Sequence, residues 1–366
     1  MKIECTKTKL EIALTKAERV VGKHTTLPVL ECVYLEAKGS TLTIRATNLD
    51  IGIEIEIPVK VSIEGVVAVP GNVLARAISG DIGGDTVVLD VESGNLVVAS
   101  GKSSTVIKSL PHDDFPTIPH VSGDSVFTIP NTALIKGMKN VWYSASISAV
   151  KPELGSVYLY SKGSDIVFVA TDSFRLGEKI VQTELKTDIE GLLIPSKNIP
   201  EIIRSLEDGE GDVLISVSTN QISFTYNNVY ITSRLIDGSF PDYKQIIPKK
   251  YTTTVIVLKQ DLIATLKKAT IFSGKFHQVT FVVSPQQKTV IIKSQNPDVG
   301  ENTDEITATI EGEEIDINFN YKYIIDCMQS IESDSVSLEL AGPGKPMVIK
   351  GIGDRSFFYL VMPMNR

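Results

Sequence analysis

Along most of the chain apolar and polar residues alternate with period two, and at six places that rhythm gives way to the longer period of a helix. Stretches such as DTVVLDVESGNLVVAS (85–100) and VLISVSTNQISFTY (213–226) read as pairs of strands around a turn. Helices are predicted over 9–23, 71–79, 131–145, 196–206, 259–271 and 320–331. In the first, Leu10, Ala13, Leu14, Ala17 and Val20 recur at helical spacing and form one apolar face. Strand-rich sequence punctuated by isolated helices predicts an α+β fold, with the helices gathered on one face of antiparallel sheets.

The elements recur in a fixed order. LTIRATNLDIGIEI (42–55) matches IVFVATDSFRLGEK (166–179), each a strand that reaches Ala-Thr and then a turn-forming Asn or Asp. VAVPGNVLARAISG (67–80) matches LLIPSKNIPEIIRSL (192–206), and SLPHDDFPTIP (109–119) matches LIDGSFPDYKQIIP (235–248). Ala46-Thr47 and Ala170-Thr171 are 124 positions apart, and the Pro70/Pro195 and Pro116/Pro241 landmarks 125 apart, so the chain contains an internal duplication. A more worn third copy follows: VLKQDLIATLKKATIFSG (257–274) repeats the strand-then-helix entry of FTIPNTALIKGMKNVWYSAS (127–146). Three similar domains are expected, over 1–122, 123–249 and 250–366, each made of two strand–helix halves.

Charge sharpens this picture. The chain of 366 residues has a formal net charge of −8, yet the six predicted helices sum to +8. The helices are therefore basic and the strands and loops acidic. Arg76, Lys136, Lys139, Lys267 and Lys268 sit on those helices, and Lys9, Lys16 and Lys23 recur every seven residues on the first. These faces lack interleaved aromatics and an arginine-rich recognition helix, which leaves sequence-independent contact with backbone phosphates. A solvated helix face is the alternative reading for any one of them. Three scattered cysteines (Cys5, Cys32, Cys327) read as buried free thiols. The N-terminal segment breaks its apolar residues with charges and no apolar run suits a bilayer, so a soluble cytoplasmic protein is expected.

ATDSFRLG (170–177), GSFPDYKQIIP (238–248), TLPVL (26–30) and the terminal VMPM (361–364) together resemble the bacterial sliding-clamp family, the beta subunits of DNA polymerase III, over the whole length. The resemblance implies a ring of two chains joined head to tail, helices lining the hole and sheets outside, encircling double-stranded DNA. It implies as partners the DNA polymerase III alpha subunit, the clamp loader, and other polymerases and repair proteins that carry clamp-binding peptides. It implies a hydrophobic pocket for those peptides at Leu154, Thr171, Ser173, Phe174, Arg175, Leu176, Pro241, Ile246, Leu360, Met362, Pro363 and Met364. Phe174 stands there in place of a usual His, and Gln245 in place of a usual basic residue. For DNA it adds Lys23, His24, Lys151, Lys197 and Arg204 to the helix cations. For ring closure it points to the alternating strand STVIKSL (104–110), with Thr105 and Ile107 on one face, and to Ile271 and Phe272; packing inside their own domain is the alternative for Ile107 and Phe272.

No catalytic constellation competes. AGPGKPMV (341–348) lacks phosphate-loop spacing, GDIGGD (80–85) lacks the carboxylates of a calcium loop, and the four histidines show no metal-ligand spacing. No enzymatic activity, cofactor or metal is expected. A contact-based DNA-binding module is the nearest alternative, and a carbohydrate-active enzyme with repeated β-rich domains lacks paired carboxylates or a nucleophile. The apolar ending FFYLVMPMNR (357–366) is expected to be an edge strand up to Val361, followed by residues free to move aside as one wall of the pocket.

Overall fold

The computed structural model describes residues 1–22, 27–80, 84–122, 125–185, 187–207 and 209–364. Six α-helices are present among them: α1 (Lys7–Glu18), α2 (Gly71–Ser79), α3 (Asn131–Val141), α4 (Ile199–Leu206), α5 (Lys259–Ala269) and α6 (Tyr321–Cys327). Each falls at a predicted position. α1 stops at Glu18 rather than 23, and α3, α5 and α6 each tighten into a single 3-10 turn where a longer helix is predicted (Trp142–Ser144, Thr270–Phe272, Met328–Ser330). The helix faces follow the apolar spacing: α1 buries Leu10, Ala13, Leu14 and Ala17, and α4 buries Ile199, Ile202, Ile203 and Leu206 behind a proline in its first turn.

Among the described residues the strands form four antiparallel sheets in two compact units. Unit 1 comprises Met1–Thr132 with Asn198–Leu235, and holds a five-stranded and an eight-stranded sheet. The eight-stranded sheet is continuous across two repeats because strand Val229–Arg234 pairs with Ile51–Pro58, Ile51 lying opposite Ser233. Unit 2 comprises Ala133–Lys197 with Ile236–Arg366, and holds a nine-stranded and a four-stranded sheet. Its seam is strand Arg175–Val181 paired with Phe357–Val361, Arg175 lying opposite Val361. The repeats are units of sequence, whereas the compact units are units of sheet pairing. The middle repeat accordingly contributes one half to each.

The terminal strand corrects an expectation. Phe357–Val361 is paired on both sides, with Arg175–Val181 and with Met347–Gly351, so it is an interior strand and not an edge. Phe357, Tyr359, Leu360 and Val361 are buried, since an interior strand of this sheet is covered on both faces. Cys5, Cys32 and Cys327 are buried free thiols, and burial pushes Cys5 and Cys32 up to about 11. Among the described residues no helix is long and apolar enough to cross a membrane.

Candidate functional site

The candidate docking surface lies wholly in unit 2 and starts from one turn. Strand Asp165–Thr171 gives way to Arg175–Val181 across Asp172, Ser173 and Phe174. The Thr171 hydroxyl donates to the Arg175 carbonyl (2.6 Å) and accepts from the Ser173 N–H (3.1 Å). Asp172 Oδ1 accepts from the N–H groups of Phe174 and Arg175, both at 2.9 Å. These bonds hold Ser173 in the left-handed region at φ 77° and leave the Phe174 ring 62% exposed. The ring thus stands in solvent on a turn whose backbone is already ordered by these bonds.

Arg175 turns the other way. Its Nε donates to Asp172 Oδ2 (2.9 Å), its Nη1 to Asp326 Oδ2 on α6 (2.7 Å), and its guanidinium lies 4.5 Å from the Tyr323 ring centre. Burial opposes the charged form, but Tyr359, Asp172 and Asp326 outweigh it and hold Arg175 above its ordinary pKa. Arg175 is one of the residues that the resemblance places at the peptide pocket; in the structure its guanidinium joins the turn to α6. Arg175 is half-buried, and Leu154, Thr171, Leu176 and Leu360 are buried.

The chain's end closes this region. The Met362 N–H donates to the Phe174 carbonyl (2.8 Å), and the Met364 N–H to the Asn318 carbonyl (2.8 Å). Met362–Met364 is therefore tied at both ends, which corrects the expectation of a segment free to move aside; their side chains are half-buried. Loop 238–248 completes it. Phe240 stacks on Tyr158 with ring centres 4.8 Å apart, and Tyr243 donates to Glu178 and shares a hydrogen bond with Tyr160 (2.9 Å). Burial, then the Glu178 bond, raises the Tyr243 pKa far above the ordinary phenol value. Phe240, Tyr243, Ile247 and Met362 pack with Leu176 and Leu360 in one apolar cluster. Pro241 and Ile246 stay exposed on the loop, and Gln245 folds back onto Asp242 (2.8 Å).

Sequence reasoning named Leu360, Met362, Pro363 and Met364 from the third repeat but missed Asn318. Asn318 bridges Met364, and its strand Ile315–Asn320 pairs with Gln278–Ser284. A bridge between the chain's end and a strand some 46 residues earlier carries no periodic signal, so only the folded chain reveals it.

The candidate cations divide. Lys23 and His24 lie outside the described residues. Arg76, Lys139, Lys151, Lys197 and Lys267 are exposed. Lys136 pairs with Glu332 (2.6 Å), Arg204 with Glu201 (2.6 Å) and Lys268 with Asp304 (3.3 Å). Such surface pairs are worth about 0–1 kcal/mol and yield readily to a phosphate. With the observed bounds the six helices still carry a net +6 in a chain of −8. On the candidate edge, Thr105 is exposed but Ile107 is buried in the first repeat's core, because strand Ser103–Ile107 turns that position inward; its exposed apolar residue is Val106, at 64%. Ile271 is exposed, and Phe272 is half-buried near Gly300.

Comparison with known proteins follows the same three divisions. The N-terminal, central and C-terminal domains of the DNA polymerase III beta subunit match residues 1–119, 128–242 and 244–365. A beta sliding clamp of Staphylococcus aureus is 27% identical over 356 residues, covering 95% of this chain and 94% of that protein. The crystal structure of the Thermotoga maritima DNA polymerase III beta subunit superposes with TM-score 0.94 at 26% identity, covering 100% of this chain and 99% of that one. That of the Bacillus subtilis sliding clamp does so with TM-score 0.93 at 25% identity, again over 100% and 99%. With all three repeats matched in order, the chain belongs to the family of DNA polymerase III beta subunits, the bacterial sliding clamps.

Proposed function

We propose that two copies of this chain, each of three domains (1–122, 123–249 and 250–366), close head to tail into a ring around double-stranded DNA. The ring slides without sequence preference and tethers the replicative polymerase, the DNA polymerase III alpha subunit, in the bacterial cytoplasm. The observation that carries this reading is the end-to-end match of all three repeats to the three clamp domains. The basic helices of an acidic chain support it, since weak, numerous phosphate contacts permit motion that strong ones would arrest. Closure uses the free edge of Ser103–Ile107 with Thr105 and Val106, meeting the third domain of the partner near Ile271 and Phe272. Two identical junctions then close the assembly.

Phe174, Pro241, Ile246, Met362, Pro363 and Met364 dock short peptides of the polymerase, the clamp loader and other polymerases and repair proteins, over a floor of Leu154, Thr171, Leu176 and Leu360. Ser173 and Arg175 set the turn. Methionines suit varied apolar anchors. The protein acts by tethering and carries no catalysis of its own.

The test loads the protein onto nicked circular DNA with a clamp loader and ATP, and then linearises the DNA. Release from the ends is expected. Retention after linearisation would establish contact-based binding in place of a topological ring.

A further inference from the structure

The turn that displays Phe174 is built twice. In unit 1 the Thr47 hydroxyl donates to the Ile51 carbonyl (2.9 Å) and accepts from the Leu49 N–H (3.0 Å). Asn48 Oδ1 accepts from the N–H groups of Asp50 and Ile51, both at 3.0 Å. These are the bonds that Thr171 and Asp172 make around Ser173. The adjoining strand repeats as well. The Arg234 N–H donates to the Asp50 carbonyl (2.9 Å), as that of Met362 does to Phe174 (2.8 Å). Phe115-Pro116 supplies the counterpart of Phe240-Pro241.

The displayed side chains have changed character. Leu49 takes the left-handed position of Ser173, φ 75° against 77°. A leucine there is strained, lacks the local hydrogen bonding that eases Asn or Asp into that region, and leaves its side chain 47% exposed. Arg234, also exposed, stands where Met362 stands. Between them opens a cleft of about 210 Å³, lined by Leu49, Asp50, Pro116, Thr117, Thr232 and Arg234 among others. Thr232 is 5% exposed, and its hydroxyl has no hydrogen-bond partner among the described residues. That volume lies below the roughly 300–1,000 Å³ of small-molecule sites and suits one or two side chains.

We infer that this cleft is a second peptide-docking site, diverged to take an extended segment that sets an apolar side chain against Leu49 and Pro116 and a carboxylate on Arg234. The inference rests on the reading of the Phe174 turn as a docking surface: the same scaffold presents a cation where that one presents a thioether.

The test uses the full chain with methyl-labelled leucine and two capped pentapeptides, Ala-Leu-Glu-Leu-Ala and Ala-Leu-Gln-Leu-Ala. The Glu peptide is expected to shift the Leu49 methyl resonances with an affinity about fivefold tighter than the Gln peptide. Arg234→Gln should erase that preference, and Phe174→Ala should leave it intact. Equal affinity of the two peptides at Leu49, or an unmoved Leu49 signal at millimolar peptide, overturns the inference. Leu176 and Leu360 report the other surface independently. If they respond while Leu49 is silent, the second site alone fails; if Leu49 responds while they do not, it is the Phe174 surface that fails.

Discussion

Two adjacent residues of one turn do opposite work. Phe174 is exposed, held by backbone bonds that its side chain does not make, so its ring is available to a partner at little structural cost. Phe174→Ala should therefore leave the urea unfolding midpoint unchanged while weakening binding of a polymerase-derived peptide about tenfold or more, the scale expected for burying an aromatic side chain. Fluorescence anisotropy with a labelled peptide measures the second effect. Arg175 is the reverse case, a guanidinium shared between Asp172 and Asp326 and laid over Tyr323. Arg175→Ala strips two carboxylates of their cation and should destabilise unit 2 by about 3 kcal/mol in urea unfolding. Arg175→Lys should recover only part, because an ammonium cannot span both acids in the fork geometry.

At the scale of elements, the seam between strands Arg175–Val181 and Phe357–Val361 carries a titratable latch. Lys179 is buried and donates to Ser356 Oγ (2.6 Å), while Asp354 Oδ1 accepts from the Ser356 N–H (2.7 Å) and hydroxyl (2.6 Å). Burial works against the Asp354 carboxylate, but the Ser356 bonds and the charges of Lys179 and Lys136 outweigh it and hold its pKa below the ordinary 3.8. A carboxyl depressed on folding stabilises the native state above its unfolded pKa, and that share is lost as pH falls through the folded value. The thermal midpoint should thus drop as pH falls below about 4, and Asp354→Asn should be less stable at pH 7 yet lose less on acidification. Burial, helped by the like charge of Lys136, outweighs Asp354 and Glu332 and lowers the Lys179 pKa, and the effect has the other sign: its penalty relaxes as the medium becomes alkaline. The tail beyond the seam makes a separate prediction. Deleting residues 362–366 removes Met362 and Met364 with their bonds to Phe174 and Asn318, and should abolish peptide binding while light scattering still reports a dimer.

The elements also show what a sequence discloses. All six helices lie where apolar spacing places them, and the duplicated Ala-Thr turn is visible as a fixed offset. The pairing of the last strand is not, because period-two alternation fixes a strand's faces and says nothing of which neighbours it hydrogen-bonds. Ile107 misleads for a related reason: alternation in STVIKSL gives two faces and leaves open which one meets the core. Arg175 escapes because its partner Asp326 lies in the third repeat, at a separation that no local pattern encodes.

For the molecule as a whole the question is what holds it on DNA. A chain of net −8 with basic helices gains from phosphate contact only where those helices face the duplex, and each contact weakens as salt rises. Retention by a closed ring does not weaken in that way. Lys267 and Lys268 end α5 as an exposed pair, so Lys267→Ala/Lys268→Ala removes up to two phosphate contacts without touching the core. On the topological reading this double variant should load more slowly and lower the salt slope of DNA association by about 2, since each contact contributes about 0.9. Once loaded on circular DNA, its half-life should equal that of the unaltered protein from 50 mM to about 500 mM salt, across a range where contact binders lose several orders of magnitude in affinity. If the half-life instead shortens with salt, and more steeply for the unaltered protein than for the variant, charge rather than closure is holding the chain on DNA.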